Sequence, residues 1–131
     1  MKTKTKVKGK IIFILIAGAV VLLAWYYFTV KSINVPGKLD GFTQCLKDKG
    51  TIFYGAFWCP HCQAQKKLFG SSVKLLPYVE CSFPNGNGQL AICNDKNIKS
   101  YPTWDFADGS RKEGEVSLED LSAKTGCVLP Q

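Results

Sequence analysis

At 131 residues the chain is long enough for one compact domain plus an appendage. Its formal net charge of +7 is unevenly placed: Lys2, Lys4, Lys6, Lys8 and Lys10 are five of the 17 basic residues, leaving 12 against 10 acidic ones, a balance of +2. Those lysines run straight into an uncharged apolar stretch, so their simplest role is to orient a membrane span, and no nucleic-acid partner is expected.

From Ile11 to Val30 there are 20 residues without a charge. As a helix rising 1.5 Å per residue they reach about 30 Å, the thickness of a bilayer's hydrocarbon core. The stretch closes on Trp25, Tyr26, Tyr27 and Phe28, rings suited to a membrane–water interface. Five lysines before it and only Lys31 just after it put the N-terminus in the cytoplasm and the rest of the chain outside. Ala17-Gly18-Ala19 has the small-residue form of a signal-peptide cleavage site, but cutting there would leave an apolar region of only six residues, Ile11 to Ile16. The expected organisation is a basic cytoplasmic tail over 1–10, a transmembrane helix over 11–30, a linker over 31–37 that breaks at Pro36-Gly37, and a soluble domain over 38–131. Six cysteines in so short a chain fit an oxidising compartment, in agreement with that topology.

In the soluble part, Leu39, Phe42, Cys45 and Leu46 recur at helical spacing, with Gly50 as a stop. Thr51–Phe57 is apolar, aromatic and β-branched, and reads as a buried strand. Cys59-Pro60-His61-Cys62 follows, opening a helix over Gln63–Phe69 that ends at Gly70; Pro60 suits a first helical turn, where its missing N–H costs nothing. Pro77–Cys81 reads as a strand, Phe83–Gly88 as a loop and Gln89–Asn97 as a short helix. Thr103–Phe106 and Arg111–Glu115 read as strands joined by a turn at 107–110. Ser117 with Asp120 three residues on marks the start of a last helix that ends at Gly126. The order α-β-α-β-α-β-β-α predicts an α/β fold.

The chemistry points to the cysteine pair. Disulfide exchange needs one exposed, acidic thiol to attack and a second to resolve the mixed disulfide. At a helix N-terminus the free N–H groups and positive dipole end favour a thiolate at Cys59, the nucleophile. Cys62, one turn deeper, faces the same side as the resolving thiol. His61 between them adds a hydrogen-bond donor or cation that stabilises the reduced form, which makes the disulfide more oxidising. Trp58 shapes the surface beside the nucleophile, Trp104 belongs to the core, and Lys66 and Lys67 read as the solvated face of the helix. Cys59, Cys62, Cys81 and Cys93 could be counted as four zinc ligands, but Cys81 and Cys93 are 12 apart where a second close pair is usual, so no metal is expected. Haem attachment needs a His after the second Cys, and Gln63 is there instead. No cofactor is expected.

Strand, CxxC at a helix start, strand, helix, hairpin and last helix is an arrangement that resembles thioredoxin. The resemblance implies that Tyr101–Pro102 is a cis bond in a loop that faces Cys59 and Cys62 and receives the substrate chain. With Trp58–Cys62, Tyr78–Cys81 and Tyr101–Trp104 in place, residues 38–127 more narrowly resemble the thioredoxin-like domain found with bacterial homologues of vitamin K epoxide reductase. That resemblance implies a quinone-linked membrane partner that reoxidises Cys59–Cys62, and exported cysteine-containing proteins as substrates. It also implies a structural disulfide between Cys81 and Cys93. Cys45 and Cys127 are then left to pair or to remain thiols; the sequence permits three pairings among these four.

Two departures qualify the resemblance. Pro60-His61 is the dipeptide of the DsbA oxidases, but their large helical insertion is absent between Cys62 and Pro102. Cytosolic thioredoxins carry a buried Asp six residues before the first Cys, where this chain has Phe53. The expected function is a membrane-anchored, monomeric thiol–disulfide oxidoreductase that introduces or exchanges disulfides in exported proteins. The alternatives are a tethered reductase of the cytochrome-maturation type and a non-catalytic binding module.

Overall fold

A computed structural model of the chain describes residues 3–33 and 36–131, with side chains at 10, 12–30 and 36–131. The described chain divides into two compact units, one up to Ile33 and the other from Pro36 to Gln131.

The first unit is a single helix, α1 (Thr3–Ile33). Its segment Ile12–Val30, 19 residues of mean hydropathy 2.2, is long and apolar enough to cross a membrane, and none of it is buried within the chain. The helix runs beyond that segment at both ends. It includes most of the basic tail and the start of the linker, because nothing between Thr3 and Ile33 breaks a helix once the apolar run has nucleated one. The next residue that cannot continue one is Pro36. Of the expected tail and linker, Met1, Lys2, Asn34 and Val35 lie outside the described residues.

The second unit runs α2 (Asp40–Asp48), β1 (Ile52–Gly55), α3 (Pro60–Leu68), a 3₁₀ helix (Gly70–Leu75), β2 (Tyr78–Glu80), α4 (Ala91–Asp95), β3 (Thr103–Asp105), β4 (Arg111–Glu113) and α5 (Leu118–Thr125). The sheet order is β2-β1-β3-β4. β1 and β2 are parallel, with Phe53 opposite Tyr78 and Gly55 opposite Glu80, and α3 forms the crossover between them. β3 runs antiparallel to both β1 and β4, with Phe53 opposite Trp104. It is a mixed sheet with helices, an α/β architecture.

Successive residues of β1 serve opposite faces of the sheet. Phe53 joins the larger cluster, stacking at 4.7 Å on Trp104, with Phe69 beyond at 6.3 Å from Trp104 and Phe42, Leu46 and Leu121 around them. Tyr54 joins the smaller one, with Cys81, Cys93 and Ile98. Cys59 and Cys62 belong to the larger cluster.

The predicted stops act as written. Gly50 and Gly126 take positive φ (71° and 72°) after α2 and α5, and the Ser117 hydroxyl accepts from the Asp120 N–H. Three strand and helix lengths are corrected. β1 ends at Gly55 rather than Phe57, because β2 and β3 offer only three residues each to pair with it. β4 stops before Gly114, whose φ of 86° turns the chain. α4 does not begin at Gln89, because Gln89 forms an antiparallel bridge with Ser82 that closes the 83–88 loop.

Candidate active site

Cys59 is the N-cap of α3 in extended conformation (φ −74°, ψ 120°), and Pro60 occupies the first helical turn. The Cys59 sulfur accepts from the Cys62 N–H at 3.4 Å, so one of the helix's unpaired N–H groups points at it. Its thiol lies 3.7 Å from the Tyr101 carbonyl oxygen, which it can donate to. Tyr101–Pro102 is cis. Cys59 is 5% exposed and Cys62 fully buried. Burial pushes the Cys62 thiol up to about 12, helped by its hydrogen bond with Cys59 and by the charge a Cys59 thiolate would carry; the Ala56 backbone and the Lys66 ammonium act the other way.

The other four cysteines are joined, Cys45 to Cys127 and Cys81 to Cys93. Cys59 and Cys62 are the two free thiols. With Cys81 and Cys93 bonded to each other, the four-cysteine zinc set has no free second pair. Among the described residues no group of three or more His, Cys, Asp or Glu side chains is placed to hold a metal ion.

Around Cys59 the surface is aromatic. Trp58 is 52% exposed, anchored by its indole N–H to the Ser82 hydroxyl at 2.8 Å and set edge-on to Tyr101. Phe57 and Phe83 are also exposed. Trp58, Gly86, Gln89 and Tyr101 border a groove of about 400 Å³.

Several residues of the site escaped sequence reasoning. The exposed His61 places its Nδ1 2.7 Å from Glu115 Oε1, so its partner is a carboxylate 54 residues away on the segment after β4. That segment is pinned to α3 by the buried Gln65, whose amide donates to the Val116 carbonyl at 2.9 Å and accepts from the Val116 N–H at 2.7 Å. Lys66, expected on a solvated face, is partly buried with Nζ over the Tyr78 ring, 3.3 Å from its centroid. Burial holds its ammonium below the ordinary lysine range, while Glu80 and Cys62 oppose that shift. Glu80 accepts from the Tyr78 hydroxyl at 2.6 Å and from the backbone N–H groups of Phe57 and Ser82 at 3.2 and 2.9 Å. Only the spacing hints at Lys66, four residues after Cys62 on one helix face.

No protein-family model matches the chain. It is similar to a protein of Arabidopsis thaliana named thiol-disulfide oxidoreductase LTO1, at 43% identity over 91 residues, 66% of this chain. The chain spans only 24% of that relative's length.

Proposed function

We propose that the chain is a membrane-anchored thiol–disulfide oxidoreductase of the thioredoxin fold, with Cys59 as nucleophile and Cys62 as resolving thiol. One observation carries it: two free cysteines cap and open α3, with the Cys59 sulfur against the Tyr101 carbonyl, in a chain whose other four cysteines are bonded. Similarity to a protein named as a thiol-disulfide oxidoreductase supports the same chemistry. Tyr101 and Pro102 line the place where an extended client would lie against Cys59, and Trp58 borders it.

The favoured direction is disulfide donation or exchange in exported proteins, with α1 as anchor, this unit outside the cytoplasm, and a quinone-linked membrane protein like vitamin K epoxide reductase restoring the disulfide. Phe53 in place of a buried acid and His61 inside the motif support donation over reduction. The test is the reduction potential of Cys59–Cys62, measured on the full chain in detergent micelles against glutathione buffers. A value of about −120 to −180 mV is expected, the range of disulfide donors and isomerases. A value of about −270 mV or lower would make it a tethered reductase, and no reversible disulfide at all would refute the enzyme.

A further inference from the structure

Whichever way electrons flow, the buried Cys62 must carry a negative charge. In donation, a client thiolate attacks the Cys59 sulfur; a client–Cys59 bond forms, the Cys59–Cys62 bond breaks, and Cys62 leaves with the electron pair as a thiolate. In the reverse step the Cys62 thiol first gives its proton to water or hydroxide. The thiolate then attacks Cys59, and the client leaves as the thiolate. A lower thiol pKa makes a faster leaving group. Yet Cys62 is fully buried, and Phe53 supplies no acid–base group beneath it.

The groups that act on Cys62 come from several neighbouring segments: Cys59 at the N-cap of α3 and Lys66 on it, the Ala56 backbone after β1, Tyr78 on β2 and Tyr101 before the cis bond. Glu80, also on β2, acts on Lys66 and Tyr78. Gly55 shows how closely they converge. A Cβ at that position would stand 2.8 Å from the Cys62 sulfur and 3.1 Å from a ring carbon of Tyr78, so sulfur and ring flank the same point of β1. Lys66 is one helical turn beyond Cys62, on the same side of α3, and its Nζ is seated over that same ring. Glu80, held by three donors, supplies the counter-charge that keeps an ammonium in a partly buried place.

Resting on the redox reading above, we propose that Lys66 is the cation that stabilises the Cys62 thiolate in both directions of exchange, with Tyr78 and Glu80 holding it in place. Lys66 is a positioning residue: it acts on a client only through Cys62. It fills the gap left by Phe53 with a positive charge, present for as long as Lys66 keeps its proton, instead of a proton acceptor.

The experiment is the titration of Cys62 itself, in full-length protein in detergent micelles carrying Cys59→Ser, followed by the Cβ chemical shift of labelled cysteine. With both disulfides intact, Cys62 is then the one free thiol. Lys66→Met should lower the thiolate fraction about tenfold at a given pH below the range in which Lys66 itself loses its proton, the effect of removing one nearby opposite charge. Lys66→Arg, which keeps the charge, should restore most of it. If Lys66→Met does not fold, the neutral Lys66→Gln is read in the same way. A neutral variant that titrates like its parent would overturn the proposal and reduce Lys66 to a packing contact on Tyr78. This readout needs no turnover, so failure of Cys59–Cys62 to cycle would sink the enzyme reading while leaving the titration interpretable.

Discussion

Replacing Gln65 with Leu tests whether α3 is clamped to the chain after β4. Gln65 and Val116 are both buried, and their two mutual hydrogen bonds join residues 51 apart. Leucine nearly preserves the volume but leaves the Val116 N–H and carbonyl unpaired, at about 1–3 kcal/mol each. Burying a side chain with no polar atoms offsets about 1–2 kcal/mol of that. The net loss should be about 1–4 kcal/mol. A unit of about 96 residues unfolds with an entropy of about 200 cal/mol/K, so 1 kcal/mol moves Tm by about 5 °C. Thermal unfolding of the full chain in micelles, followed by circular dichroism with disulfides intact, should show Tm about 5–20 °C lower. A drop under about 3 °C would mean that water or a neighbouring group satisfies Val116 and that the clamp is not needed. Because Glu115 adjoins Val116, the same variant should also loosen the His61–Glu115 contact, visible as a change in the His61 imidazole resonances.

Three further outcomes are expected. Gly55→Ala should destabilise by about 1–3 kcal/mol in urea unfolding, because its methyl group meets the Cys62 sulfur and the Tyr78 ring; unchanged stability would contradict the packing between them. Removing Cys45–Cys127, which closes an 82-residue separation, should cost about 4.5 kcal/mol, against about 3 for Cys81–Cys93 with its separation of 12; equal losses in the two double-alanine variants would refute the chain-entropy account. The pH dependence of the reduced protein follows from Cys62, whose thiol is raised by burial from 9.0 to about 12. The folded state keeps that proton where the unfolded chain has lost it, so the stabilisation is complete below about pH 9 and is lost as pH rises toward about 12. Urea midpoints of the Cys59→Ser protein should fall across that window, and a flat profile there would count against the buried thiol.

What could be read in advance depended on how local each signal was. Gly50, Ser117 and Gly126 mark helix ends by their own backbone or hydroxyl chemistry, so α2 and α5 were legible within a residue or two. The cysteine pair at the start of α3 was legible because Pro60 tolerates a first helical turn and little else in a helix. The 3₁₀ helix after Gly70 left no trace, since Ser71, Ser72 and Lys74 interrupt any apolar stripe. Gln65, Lys66 and Glu115 belong to residue types that are usually solvated, and what gives each a role is a partner brought in by the sheet. The fate of Cys45 and Cys127 stayed open for the same reason: only the completed fold brings their Cα atoms to 5.8 Å.

That last bond also changes how the unit bears load. Force applied to the chain on either side of the pair passes from residue 45 to residue 127 through sulfur, and bypasses every strand and helix in between. The sheet, both free thiols and the groove beside Trp58 lie inside the bypassed loop. Within the second unit, such tension can therefore fray only residues 36–44 and 128–131, among them the first part of α2. The reactive centre keeps its geometry under tension for as long as the covalent shunt is intact, and cutting that shunt by reduction would hand the full load to four short strands.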